Sequence, residues 1–207
     1  MNTTETSLTF VQTAEGITNL NNWIFETIQP YIKGRMLELG SGLGRFSSIF
    51  MKHNLPLHLS DEKESNREFL QIKFDGSPMF KMVHNIDFHC DTFSQTYASM
   101  LGVFDTVIAV NITEHGFYND TILKNAKDLL RRRGHFVALT PSRAVLFNRM
   151  EKDLSGLKEY NLTVARNLMG IDFQILKVRC FNWVAESESS DFSQFGLSTL
   201  AIFRKTI

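Results

Sequence analysis

The stretch R-M-L-E-L-G-S-G-L-G-R-F-S-S-I-F, Arg35 to Phe50, decides how the rest of the chain is read. Met36 to Leu39 is a short apolar run carrying one acid, Glu38, and it stops at Gly40-Ser41-Gly42-Leu43-Gly44. From Phe46 to Met51 apolar residues resume at helical spacing with no breaker. Strand, glycine turn and helix is the pattern this predicts. Glycines at 40, 42 and 44 allow backbone conformations that a Cβ forbids, and they let a ligand press against the main chain. The helix behind them offers unpaired N–H groups and the positive end of its dipole.

Two ligand classes use such a turn, and spacing separates them. A dinucleotide fingerprint places glycine at the first, third and sixth positions, with the pyrophosphate on the helix N-terminus. Here the sixth position counted from Gly40 is Arg45, the glycines fall at the first, third and fifth, and Glu38 stands two residues ahead. A carboxylate there repels a pyrophosphate and attracts an ammonium, directly or through water. The pattern E-x-G-x-G-x-G, Glu38 to Gly44, resembles motif I of the class I S-adenosylmethionine-dependent methyltransferases. The other reading of these residues is a tight turn with no ligand.

Length and charge bound the alternatives. A chain of 207 residues suits one domain with a substantial core. Basic and acidic residues balance at 22 each, which gives no electrostatic case for nucleic acid or a membrane surface. Cys90 and Cys180 are too few for a disulfide framework and offer no metal-ligand spacing, so reduced thiols in a cytoplasmic protein are expected. The polar stretch Met1 to Ser7 lacks the pattern of a signal peptide, and no apolar run reaches the roughly 20 residues that span a bilayer. The 18 phenylalanines predict an aromatic core.

Ahead of the glycine turn, Ile17, Leu20, Trp23, Ile24, Ile28 and Ile32 recur at helical intervals within Phe10 to Ile32, with an interruption near Pro30. By the resemblance such a helix covers the cofactor cleft; Phe10 and Trp23 either face the ligand or pack the cover. Leu57 to Ser60 predicts a second strand, and Asp61-Glu62 follow it, with Asp61 placed 21 residues after Gly40. An acid there can accept hydrogen bonds from both ribose hydroxyls; the competing role is the N-cap of the helix from Lys63 to Phe74. A third strand, Phe80 to Ile86, closes on Asp87 and Phe88, where the acid can receive an adenine amino group and its neighbour can pack on the ring. Asp91 competes for that role or caps a helix from Thr92 to Leu101.

Phe104 to Val110 is the kind of continuous apolar strand that a parallel sheet buries on both faces. It runs into Asn111-Ile112-Thr113-Glu114-His115, and F-D-x-V followed by N-x-x-E-H is similar to the fourth-strand motif of many small-molecule methyltransferases. The resemblance places Asn111 at the opening of the cleft and Glu114 and His115 near the bound methionine moiety. His115 is the candidate general base; alternatively it and Glu114 orient one another at a helix start. Asp120 to Arg133 predicts a helix closed by three arginines and Gly134, then a strand from His135 to Thr140. The family's K-P-G-G turn is reduced here to that last glycine.

Past Pro141 the run to Tyr160 resembles a methyltransferase subgroup, keeping Leu146-Phe147, Glu151 and Tyr160 but carrying Ser155-Gly156 and Glu159 where that subgroup has glycine-histidine and arginine. Arg143, Arg149 and Tyr160 are either substrate contacts or surface and packing residues. A helix is expected over Asn161 to Met169, then strands over Phe173 to Val184 and Leu197 to Lys205.

The resemblance covers the chain from Trp23 onward. It implies an α/β, Rossmann-like class I methyltransferase fold with a seven-stranded, mostly parallel sheet and helices on both faces. Residues 1–34 would form a helical cover, 35–141 the cofactor-binding core, and 142–207 the substrate-covering segment with closing antiparallel strands. The implied cofactor is S-adenosyl-L-methionine, held by Glu38, Gly40, Ser41, Gly42, Gly44, Asp61, Glu62, Asp87, Phe88 and Asn111, and the implied partner is a small-molecule methyl acceptor. A non-catalytic binding or regulatory protein of the same fold is the alternative. A nicotinamide-dependent oxidoreductase is disfavoured by Arg45.

Overall fold

The computed structural model describes residues 8–11, 14–110, 120–141, 173–184 and 195–206. Its frame is one sheet of strands β1 (Leu8–Val11), β2 (Met36–Leu39), β3 (Leu57–Ser60), β4 (Phe80–His84), β5 (Phe104–Val110), β6 (Leu130–Pro141), β7 (Phe173–Val184) and β8 (Phe195–Lys205). The helices are α1 (Ala14–Ile28), α2 (Arg45–Lys52), α3 (Glu64–Phe74), α4 (Phe93–Thr96) and α5 (Asp120–Leu129). Strand order is β1-β7-β8-β6-β5-β2-β3-β4. From β2 the chain steps outward through β3 to β4, then returns to lay β5 on the other side of β2. That reversal opens a crevice at the carboxyl ends of β2 and β5, the place where open α/β sheets bind ligands.

Burial explains why these segments are strands. All four residues of β2 and of β3 are buried, as is every residue of β5 except Asp105, because helices cover both faces of the sheet. Alternation sorts the side chains. Met36, Ile108, Val110, Val137, Leu139, Leu200 and Ile202 pack against Ile24, Phe25 and Ile28 of α1, Phe50 of α2, and Leu70 and Phe74 of α3. Leu37, Leu39, Val107, Ala109, Phe136, Ala138 and Phe203 face the other way, onto Phe93 of α4 and Leu123, Ala126 and Leu129 of α5. Within that second layer the rings of Phe136, Phe173 and Phe203 lie 5.9 to 6.1 Å apart, as the aromatic-core expectation requires. Strand β8 runs antiparallel to β6 and β7, forming the expected closing pair.

Several expectations need correction. The sheet has an eighth strand: Leu8–Val11 pairs in parallel with Phe181–Val184, so Phe10 belongs to an edge strand and the helix starts at Ala14. β-Branched Thr9 and Val11 flanking Phe10 favour an extended backbone, and β7 supplies the pairing partner. The helix expected from Thr92 to Leu101 is a single turn, α4, followed by a 3-10 turn over Ala98–Met100. Ser and Thr hydroxyls there compete with helical hydrogen bonding, and Cys90, Thr92 and Thr96 bond to one another.

The arginine triplet does not end α5. Leu130 pairs with Phe104 and His135 with Thr106, so residues 131–134 bulge from the ladder, with Arg133 left-handed at φ 61°. Arg131 reaches Asp105 at 3.1 Å, while the cation serving the end of α5 is Lys205 of β8, whose Nζ donates to the carbonyls of Lys127 and Leu130 at 3.0 and 2.6 Å. The third strand stops at His84, although Ile86 beyond it is buried. Among the described residues no helix is long and apolar enough to cross a membrane. The helix expected over 161–169 and the substrate-covering run 142–160 lie outside the described residues.

Candidate functional site

Gly40, Gly42 and Gly44 take left-handed φ values of 60°, 53° and 70° as the chain leaves β2 and enters α2. Gly44 and Gly42 differ in what surrounds them. A Cβ on Gly44 would lie 2.7 Å from the Phe74 ring and 2.8 Å from Leu70, so this glycine exists to let α3 close on the turn. Among the described residues, a Cβ on Gly42 would meet nothing within 4 Å. Gly42 therefore combines a left-handed backbone, which favours glycine, with open space above the turn.

Hydrogen bonds hold the turn to the neighbouring strand. The Ser41 N–H donates to the Ser60 carbonyl at 2.8 Å, and the Ser60 hydroxyl donates to the Glu38 carbonyl at 2.9 Å. Asp61, buried at the end of β3, accepts the Gly42 N–H on Oδ2 at 2.9 Å. Its Oδ1 accepts the Lys63 N–H at 2.9 Å and the Asn66 side-chain amide at 3.1 Å. Lys63 is the N-cap of α3 and makes no side-chain cap bond, so Asp61 is a tie between the glycine turn and the β3–α3 turn rather than the cap. Glu62 beside it is exposed, and its carbonyl accepts from Arg67 at 2.6 Å. On the far side of the turn Lys73 of α3 donates to the carbonyls of Leu43 and Gly44 at 2.7 and 3.3 Å.

Glu38 lies beneath this turn, 3 % exposed, with its Oε2 accepting the hydroxyl of Ser47 from α2. Burial pushes its carboxyl up to about 7, against the opposing pull of hydrogen bonds from Ser47 and Ser41 and of the Lys73 charge. Sequence reasoning identified Glu38 but missed Ser47. The available signal was a serine one turn into an apolar helix, on the face that must pack on β2.

The adenine-side candidates separate. Asp87 is half-buried; its N–H donates to the Tyr97 hydroxyl at 2.8 Å and its Oδ1 accepts the His89 N–H at 2.8 Å, so the second oxygen keeps acceptor capacity. Phe88 is buried among the core residues under α5, and Asn125 donates to its carbonyl at 2.9 Å. Its ring serves the core. Asp91 is exposed. Trp23 is half-buried on α1 and packs against the core layer of that face, the cover-packing role. Asn111, Glu114 and His115 lie outside the described residues, as do Arg143, Arg149 and Tyr160.

The backbone decides what this architecture is. It overlays on the N-methyltransferase NodS from Bradyrhizobium japonicum with a TM-score of 0.59 at 14% identity, spanning 92% of this chain and 97% of that one. This is the class I methyltransferase fold. A phosphoethanolamine N-methyltransferase from Haemonchus contortus, solved with S-adenosylhomocysteine, superposes with a TM-score of 0.60 at 12% identity over 91% of this chain and 53% of that one. The fold also carries other chemistry: the [4+2]-cyclase SpnF matches with a TM-score of 0.66 at 11% identity over 96% of this chain and 87% of the cyclase. No family profile and no curated protein matches the sequence.

Proposed function

We propose that the protein is a cytoplasmic S-adenosylmethionine-dependent methyltransferase acting on a small-molecule acceptor. The observation that carries this reading is the open face at Gly42, whose N–H is tied to a buried acid at the end of the next strand. Glycine-turn backbone and the N-terminus of α2 would receive the methionine and ribose portions. Asp61 accepts three hydrogen bonds within the protein, and a carboxylate offers about four lone-pair positions, which leaves room for a ribose hydroxyl. Asp87 would take the adenine amino group on its remaining oxygen. Residues 1–34 would cover the cleft, 35–141 hold the cofactor, and 142–207 close over the acceptor.

The cofactor supplies an already activated methyl group. What the chain contributes is placement of the acceptor in line with that group and exclusion of water, by proximity and orientation. A base is needed only for an acceptor that must lose a proton, and His115 is the residue assigned to that role. Because the same fold hosts a cyclase, turnover is tested apart from binding.

Calorimetric titration with S-adenosylmethionine, S-adenosylhomocysteine and NADH tests the reading. Binding of both adenosyl compounds is expected, weakened by about tenfold or more in Asp61→Ala, which removes an acceptor and unties Gly42. Tight NADH binding with no response to the sulfonium compound would replace this proposal with an oxidoreductase. Native mass spectrometry of the purified protein then reports any retained acceptor.

A further inference from the structure

The buried acid beneath the glycine turn has no cation bridging it among the described residues. Glu38 is 3 % exposed, its Oε2 accepts from Ser47 of α2, and α3 brings Lys73 near enough to act on it only through space, because the Lys73 ammonium is bound to the Leu43 and Gly44 carbonyls. The strands on either side contribute Leu59 and Ile108 in register with Glu38; the Ser41 hydroxyl adds its pull on the acid, and that of Ser60 donates to the Glu38 backbone carbonyl. Of the other charged groups at the end of β3, Asp61 is engaged with the N–H groups of Gly42 and Lys63, and Arg67 with the carbonyls of Asp61 and Glu62, while Glu62 and Lys63 are exposed. A carboxylate in such a place is poorly solvated and lacks a bridging counter-charge, so the arrangement favours the neutral acid until positive charge arrives.

We infer that Glu38 is a proton-exchanging group: it releases its proton to solvent when a ligand bearing positive charge occupies the glycine turn, and takes one back when the turn empties. The inference rests on the proposed cofactor, whose ammonium and sulfonium supply that charge. No bond in the ligand changes; the O–H of Glu38 breaks, its electron pair stays on the carboxylate, and the proton passes to buffer. Ser47 is the positioning residue, since its hydroxyl can donate to the carboxylate that forms. With the ligand-free carboxyl near 7, binding at or below neutral pH should then be linked to proton release, and affinity should rise with pH by up to about tenfold per unit until the ligand-free protein is itself ionised.

Calorimetry with S-adenosylmethionine and S-adenosylhomocysteine, run between about pH 5.5 and 7.5 in buffers of different ionisation enthalpy, measures the protons released. The α-amino group of either ligand titrates just above that range, so parent and Glu38→Gln are compared. The parent should release up to about one proton per ligand below neutral pH, and Glu38→Gln should release none and lose the pH slope. Equal proton release and equal slopes in the two proteins would overturn this inference while leaving the cofactor assignment intact. Failure of the parent to bind either compound across the range would instead overturn the assignment itself. Infrared difference spectra of the parent need no variant: ligand addition below neutral pH should remove a protonated-carboxyl band, and an unchanged band on saturation would refute the exchange.

Discussion

At the residue scale, one glycine pattern performs two separable tasks. Gly44→Ala must accommodate a Cβ 2.7 Å from Phe74 and 2.8 Å from Leu70 at φ 70°, and both the strain and the contact fall on the folded protein alone. A loss of about 2–4 kcal/mol is expected from the urea midpoint, combining left-handed strain with overpacking. Gly42→Ala carries similar backbone strain, but its Cβ enters open space, so a loss of about 1–2 kcal/mol is expected. Adenosyl-ligand affinity should discriminate in the other direction: Gly42→Ala falls further if its methyl occupies the face proposed to meet the ligand. Equal losses of stability in the two variants would contradict the assignment of packing to one glycine and ligand access to the other. The sequence shows three glycines at alternate positions; which of them faces protein depends on where α3 returns, thirty residues later.

At the scale of elements, β3 and β4 carry a polar chain within the sheet. The Arg35 Nε–H donates to His58 Nε2 at 3.2 Å, His58 Nδ1 lies 3.0 Å from His84 Nε2, and the Arg35 guanidinium sits 5.7 Å from the Phe104 ring centroid. Burial, with the charges of Arg35 and Lys81 and the neighbouring His84, lowers His58 to about 4; burial and Arg35 lower His84. In the unfolded chain both imidazoles take up protons near 6.5, whereas in the fold they stay neutral. The His58 contribution is fully present above about pH 6.5 and is lost as pH falls towards 4, and that of His84 is lost in the same direction, since the unfolded state then binds the extra protons. Glu38 acts with the opposite sign up to about 7, so the difference between parent and variant is the useful quantity. The urea midpoint should fall between pH 7 and pH 4.5 less steeply in a His58→Gln, His84→Gln double variant than in the parent, by about 0.5–1 kcal/mol or more over the interval. Parallel curves would rule out these imidazoles as the cause. Neither histidine was singled out from sequence, because His58 and His84 stand on separate strands and meet only through parallel pairing.

At the scale of the whole molecule, stability is concentrated where β8 closes the sheet. Phe203 is 2 % exposed, stacks with Phe136 and packs at a tilt against Phe173, from the strands on either side. Phe203→Ala should lower unfolding free energy by about 3–5 kcal/mol, the range for removing a buried aromatic ring, as read from chemical denaturation. Removal of residues 1–13 takes away β1, which among the described residues pairs only with β7, at the sheet edge, and should leave a folded seven-stranded protein with a smaller loss of stability. Loss of the cooperative transition on that deletion, with retention of it in Phe203→Ala, would invert the ranking.

What the sequence determined was whatever neighbouring residues specify through their own backbone preferences. These were the strand into Gly40, the helix out of Gly44, the acid closing β3, the long apolar β5, and the closing pair β7 and β8. From those the order of elements along the chain followed, while the crevice at the carboxyl ends of β2 and β5 came from which distant strands pair. Tertiary structure decided the matters that require distant segments to meet. These include pairing of Leu8–Val11 with β7, service of the α5 terminus by Lys205 instead of the arginines, and burial of the Phe88 ring in the core. It also decided the state of Glu38: a carboxyl's charge depends on the dielectric and partners around it, and these are set by α2 folding back to place Ser47 on the acid while α3 closes over the turn.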